Sequence, residues 1–394
     1  MNQRDEVFKT FIPLGDKDDK AAKTVFCPWY SCGVKTQRDA WCYNFSKVAL
    51  AENMQRTINF YNEHIGKEPT YSTNHINWTY AILANHKKGC RNYYEGDCIC
   101  TAMYRPYCKQ NLYFDRTWNE RVYQMPKLFP TPQTENLVIC VSGIGVTKEF
   151  SVIIVNLIPD LELIGKSQCF PLYYYEKVDH AQLSLFDRPS DDYVRCDGIS
   201  DFILKRTREL NPKITKKDIF YYVYGLLHSP EYRSRFSADL KKMLPHIPLV
   251  ETYADFNSFC EAGRQLAQIH LNYETSTPYE SVRLIGTETS NFRVEKMRFS
   301  SKNDKRTIIY NSHIRLENIP LEAYDYVLNG KSAVEWIMER YQVSMNSESQ
   351  IKNDPNCWAE EHGQPRYILD LLLKIIKVSV DTTTIIRKLP PLLF

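Results

Sequence analysis

The alternation of apolar and polar positions is most regular over residues 211–274, where three helices follow one another with their stops written between them. Thr215 followed by Asp218 makes a start of the capping-box kind, and Ile219, Tyr222, Val223 and Leu226 fall at i, i+3, i+4 and i+7, so the first helix has one apolar stripe. Ser229 and Pro230 supply an N-cap and a first-turn proline to a second helix. Its apolar face carries Tyr232, Phe236, Leu240 and Met243, and Pro245 and Pro248 end it. The spacing predicts a third helix over about 255–270, with Phe259, Leu266 and His270 on its apolar side.

Elsewhere the texture changes. Residues 1–45 read as irregular and strand-rich, and Ser46 then caps an amphipathic helix with Val48, Met54, Ile58, Tyr61 and Ile65 as its stripe and Gly66 as its stop. From about 71 to 175, short runs of Tyr, Val, Ile and Cys are broken by Pro and Gly, which is β-rich sequence. Within it, residues 136–158 read as two buried strands around a glycine turn. Residues 180–197 are polar, with Pro189 and paired aspartates, and predict a linker. Beyond the three helices, 279–319 reads as strand and hairpin, and an apolar helix over 367–378 closes the fold. The class predicted is α+β: a β-rich N-terminal half, a helical C-terminal half and a small additional strand region. Its segments are 1–70 with a docking helix, 71–195, 196–275, and a mixed region 276–394.

Composition narrows the function classes. The 394 residues are 43% hydrophobic and 25% charged, with mean hydropathy −0.44, which is the make-up of a globular protein with two or three cores. Residues 1–11 contain no apolar stretch of signal-peptide kind, and no run of 18 apolar residues offers a membrane span, so a cytoplasmic location is the expectation. The 12 cysteines are then reduced thiols, and the C-x7-C-x-C-x7-C spacing of Cys90, Cys98, Cys100 and Cys108 matches no familiar zinc pattern. With a net charge of only +3, any nucleic-acid surface must be local. Residues 205–217 and 293–306 are locally basic, which fits such a surface or a solvated face.

Catalytic constellations are not found. Gly143 and Gly145 lack the third glycine of a dinucleotide loop. His228, His246 and His270 are spread along helices as structural histidines are, and the pairs Asp191–Asp192 and Glu360–Glu361 lie in polar stretches.

Several long runs carry a resemblance. YYVYGLLHSPEYRSRFSADLKKMLPHIPL with FCEAGRQLAQIHLNYE is similar to the C-terminal specificity region of type ISP restriction-modification enzymes. These are single bacterial polypeptides joining a nuclease, a helicase-like translocase, an N6-adenine methyltransferase and a target recognition domain. Phe26, Tyr30, Ser31, Gly33, Val34, Thr36, Arg38, Asp39 and Trp41 match the family's opening F-x-x-x-Y-S-x-G-V-x-T-x-R-D-x-W, which follows the methyltransferase fold. Gln168, Phe170, Pro171 and Tyr173 to Tyr175 resemble its Q-x-F-P-L-Y-x-Y strand. Tyr326, Gly330, Ser332, Trp336, Arg340, Tyr341, Asn353, Asp354, Pro355 and Trp358 match its closing signature. The resemblance spans about 8–380.

Candidate DNA-binding residues fall in two of these runs. Lys35, Thr36 and Arg38 would present cationic and hydroxyl donors on a turn at Gly33. Tyr104, Arg105, Pro106, Tyr107 and Tyr113 match a Y-R-P-F/Y segment of adenine methyltransferase recognition domains. There Lys109 and Arg116 would meet phosphates, Arg105 would read guanine, and Gln110 or Asn111 would read adenine. The alternative for each is internal: a local salt bridge between Arg38 and Asp39, Trp41 in a core, the tyrosines filling the sheet and Arg105 neutralised by an acid.

The N/D-P-P-Y/F loop and glycine loop of the methyltransferase, the G-x-x-x-x-G-K-S/T of a translocase and a nuclease cluster are not found. The resemblance therefore implies a non-catalytic module that recognises duplex DNA and delivers an adenine to a methyltransferase domain or subunit. It carries no cofactor of its own, with S-adenosylmethionine, ATP and Mg belonging to other domains. A rival reading is a protein-interaction module docking through its N-terminal helix.

Overall fold

A computed structural model describes residues 5–18, 23–67, 78–178, 192–288 and 290–392. The architecture turns on one antiparallel sheet of four strands, in the order Ser31–Cys32, Gln168–Pro171, Val138–Val141 and Val152–Val155. Every residue of Val138–Val141 and Val152–Val155 is buried, because the sheet is covered on both faces. Alternation sorts its side chains: Val138, Cys140, Ile153, Val155 and Cys169 enter one core, while Ile139, Val141, Val152, Ile154 and Phe170 enter the other. A run without polar alternation is what a strand between two cores requires, as 136–158 implies.

The first core joins residues far apart in sequence. The sheet of Tyr43–Asn44, Cys108–Tyr113, Ile99–Arg105 and Ile158–Pro159 packs with the helices Lys47–Glu63, Ala333–Arg340 and Tyr367–Ile386 and with a C-terminal sheet built on Asp304–Ile309. In the helix Lys47–Glu63 the buried residues are Leu50, Met54, Thr57, Ile58 and Tyr61, and Val48 is 60% exposed. Met54, Ile58 and Tyr61 thus lie on the buried face as predicted, and the correction is at Val48, whose place in the core Leu50 takes. The face expected to dock on another domain is spent on the chain's own core.

The second core is helical. Lys216–Leu226 and Tyr253–Leu271 cross with backbones in contact, and both start as the sequence predicts, the first with a complete capping box at Thr215 and Asp218. A Cβ on Gly263 would lie 1.9 Å from the Tyr221 carbonyl oxygen, so only glycine permits this crossing. The second predicted helix is interrupted. It splits at Phe236 (φ −98°, ψ 21°) into Pro230–Arg235 and Ser237–Leu240 as the Phe236 ring packs 5.1 Å from Phe8 and 5.4 Å from Tyr232. Tertiary packing overrides the helical period there.

His270 links the two cores. Its Nδ1 lies 2.6 Å from the Tyr224 hydroxyl, its Nε2 lies 2.8 Å from the Thr382 hydroxyl, and its ring stacks on Tyr326. Burial depresses its pKa to about 3. Of the predicted linker, 180–191 lies outside the described residues, whereas Tyr193–Asp197 is a strand paired with Tyr173–Lys177. The class is α+β. No helix among the described residues is long and apolar enough to cross a membrane.

Candidate nucleic-acid interface

The two sequence-predicted clusters meet, but mostly inside the protein. The Asp39 carboxylate accepts hydrogen bonds from the Thr36 and Tyr104 hydroxyls and lies 3.6 Å from Arg105. Arg105 also donates at 2.6 Å to Asp160 and lies over the Tyr104 ring. Burial pushes the Asp160 carboxyl up to about 7, against the pull of Arg105. Arg38 is buried at 4% exposure and donates to the carbonyls of Thr36 and Trp118, to Thr79 and to Glu120. Burial draws its guanidinium below the ordinary value, with Cys42 and Glu120 opposing.

Gln110 and Asn111 are buried as well. Gln110 accepts from the Asn353 amide at 3.0 Å and Asn111 donates to the Phe45 carbonyl at 3.0 Å, which joins the N-terminal segment to the C-terminal hairpin. Lys109 is paired with Glu274 and sits over Tyr273. Lys35 is half-buried and lines a cavity of about 340 Å³ that also holds Gln37, Asp39, Asp160 and Glu162. Arg116 is exposed on a turn. The five predicted cations therefore do not make one concave basic face. Arg105 is met by a carboxylate, Asp160, as the internal alternative has it. The ion pair of Arg38 is instead with Glu120, and Asp39 is held by Thr36, Tyr104 and Arg105, because buried donors are taken up by buried acceptors. The basic stretches divide likewise. Lys205, Arg206 and Arg208 stay exposed, whereas Lys216 pairs with Asp197 and Asp201, and Arg293 with Asp354 and Glu360.

Another set of cations is gathered by loops at the edge of the central sheet. The loop carrying Lys35 is bound to the loop that precedes Gln168, through Gly33 N–H to Ser167 O at 3.1 Å and Leu161 N–H to Val34 O at 2.8 Å. That loop is bound in turn to residues 143–150 through Gly143 N–H to Gly165 O at 2.9 Å. Gly145 N–H then reaches the Lys241 carbonyl at 3.0 Å. A Cβ on Gly143 would lie 2.2 Å from the Lys166 carbonyl oxygen, so this glycine serves a close crossing of two loops and not a nucleotide. The result is a rim of joined loops that carry Lys35, Lys166, Lys148 and Lys241; none of the four makes an ion pair among the described residues, and Lys35 shares its cavity with Asp39, Asp160 and Glu162. Sequence reading missed Lys148, Lys166 and Lys241, because single lysines on separate loops carry no pattern. Among the described residues no group of three or more His, Cys, Asp or Glu is placed to hold a metal ion.

Comparison with known proteins bears on this arrangement. The family model described as the Type ISP C-terminal specificity domain matches residues 24–371. The chain belongs to this family. Among solved structures, this specificity domain is similar to the ATP-dependent Type ISP restriction-modification enzyme LlaBIII bound to DNA, with 36% identity and a TM-score of 0.89 over 99% of this chain and 25% of that one. It is similar also to a nuclease-deletion mutant of the Type ISP enzyme LlaGI in complex with a DNA substrate mimic, with 33% identity and a TM-score of 0.83 over 99% of this chain and 29% of that one. A third likeness is to DrdV in a DNA complex, at 29% identity and a TM-score of 0.81, covering 98% of this chain and 39% of that one. The specificity domain thus spans between a quarter and two fifths of the length of these proteins. No curated protein matches the chain.

Proposed function

We propose that this chain is the DNA target recognition module of a type ISP restriction-modification system, binding duplex DNA and positioning a target adenine for N6 methylation by a methyltransferase domain or subunit. The observation that carries the reading is the likeness, over 99% of the chain, to a type ISP enzyme solved bound to DNA. The rim of lysines without ion pairs among the described residues supports it, since phosphate contacts hold a protein in register on a duplex while a few base contacts specify the sequence. In this reading the module itself is not catalytic. S-adenosylmethionine, ATP and Mg are used by the methyltransferase, translocase and nuclease parts of the assembly.

The test is selection. The chain is mixed with a pool of random duplexes at two salt concentrations and the bound fraction is sequenced. Enrichment of one short sequence, weakening with salt, is the expected result, and an N6-adenine methyltransferase supplied with the chain should then modify an adenine inside that sequence. Retention of no duplex at low salt would overturn independent DNA binding. The helix Lys47–Glu63, which a protein-interaction module would have used, keeps its apolar face in its own core.

A further inference from the structure

Next to the lysine rim lies a cleft of about 830 Å³, walled by the loop 143–150, the interrupted helices around Ser237, and the turn at Gly330. Three cations reach it: Lys148, Arg233 and Lys241. Arg233 is the informative one. Its Nε donates to the Leu227 carbonyl at 2.7 Å, which fixes the guanidinium, while its Nη2 is shut off from solvent and has no hydrogen-bond partner among the described residues. Among the described residues no carboxylate pairs with it; Glu149 lines the same cleft without doing so, and Asp325, also there, is bound to Arg387. Burial lowers its pKa, which says the charge is held at a cost.

A guanidinium fixed through its Nε and held without a carboxylate partner among the described residues, in a cleft lined also by two lysines, is suited to an oxyanion. Arg supplies a charge that is always present, and lysines beside it add charge without demanding geometry. The hydroxyls of Ser234 and Ser237 line the same cleft and make no hydrogen bond among the described residues. The aromatic residues at this wall, Phe150 and Tyr326, are buried, at 9% and 3% exposure, so no ring face is offered to a base. The chemistry fits a phosphate and not a nucleobase.

We infer that this cleft is a phosphate-binding site in which Arg233, Lys148 and Lys241 hold a backbone phosphodiester of duplex DNA, an inference that rests on the DNA-recognition reading above. Its contribution is independent of sequence. It anchors the register of the module on the duplex, and base contacts are made elsewhere.

The test uses the full chain with Lys148→Gln plus Lys241→Gln, whose exposed side chains can be changed without disturbing the core, and Glu149→Gln as a change of opposite sign. Binding to a random duplex pool is titrated over a range of salt concentrations. In parallel, thermal melting is followed with inorganic phosphate or chloride at matched ionic strength. The lysine pair should weaken duplex binding about tenfold at low salt, evenly across sequences, and make the slope of log affinity against log salt shallower by about 1 to 2. Glu149→Gln should tighten binding, which damage to the fold would not do. If the wild-type chain binds duplex and the lysine pair leaves affinity and slope unchanged, the cleft assignment falls and the recognition reading stands. If the wild-type chain retains no duplex, the phosphate arm decides. Stabilisation by phosphate that the lysine pair abolishes would keep the site as one for a free phosphate, and no stabilisation would overturn it along with independent DNA binding.

Discussion

Two regions of this molecule hold the same kinds of side chain and use them in opposite ways. Around Asp39 and Asp160, Arg38 and Arg105 are buried and paired with acids, Arg38 with Glu120 and Arg105 with Asp39 and Asp160. Around Ser237, Arg233 is fixed by one carbonyl and left with an unmet donor, and Lys148 and Lys241 stand without ion pairs among the described residues. The first region is a set of internal struts, the second a set of available charges. An arginine's role is decided by what faces it, and a carboxylate at the end of the neighbouring strand can retire it from the surface.

The largest effect that would sharpen this contrast is at Arg105. Arg105→Met leaves Asp160 buried beside an apolar side chain and should destabilise the fold by about 3–5 kcal/mol in urea unfolding. Adding Asp160→Leu should recover much of that loss, since no uncompensated charge then remains. A single substitution tolerated without cost would mean that the pair is not a strut.

Next in size is Gly263→Ala. Its Cβ meets the Tyr221 carbonyl, so the helices Lys216–Leu226 and Tyr253–Leu271 must separate, at about 1–3 kcal/mol or more, read as a fall in the urea midpoint.

A smaller effect follows pH. The folded-state pKa of His270 lies at about 3 against an ordinary 6.5, so the unfolded chain binds more protons between those values. Its neutral form therefore contributes fully above pH 6.5, and the contribution is lost as pH falls towards 3. Asp160, raised from 3.8 to about 7, acts in the other direction over the acid range. The informative quantity is thus the difference between wild type and His270→Gln. The variant should show a flatter loss of stability from pH 6.5 to 4, and identical profiles would rule out a neutral, buried His270.

At the bottom of the scale, Lys148→Gln with Lys241→Gln should change stability by less than about 0.5 kcal/mol while changing duplex affinity, the reverse of Arg105→Met. A large stability loss from the lysine pair would erase the distinction between struts and available charges.

Much of the fold was legible because its signals are local. The capping box at Thr215, the N-caps at Ser46 and Ser229 and the unbroken apolar run of 136–158 each act over a few residues, and each lies where the pattern put it. Less of the site was legible. Tyr104, Arg105, Gln110 and Asn111 look like readers of DNA in a linear string, yet Gln110 and Asn111 are held by Asn353 and Phe45 and Arg105 by Asp160, partners no spacing announces. Val48 failed as a core position for a related reason: a helix's buried face is set by what it packs on, and that sheet is shared with residues near 340.

By itself the sequence determined the family, the α+β class, the helix starts and the central buried strands, because caps, apolar period and long matched runs are properties of neighbours in the chain. Only the tertiary structure decided which cations pair with acids and which, among the described residues, do not. Lys148, Arg233 and Lys241 come from a loop and two helix ends that hydrogen bonds across the sheet edge bring to one cleft, whereas Arg38 and Arg105 are neutralised by acids up to 82 residues away. Electrostatic fate depends on distance through space and on burial, and neither is a function of position along the chain.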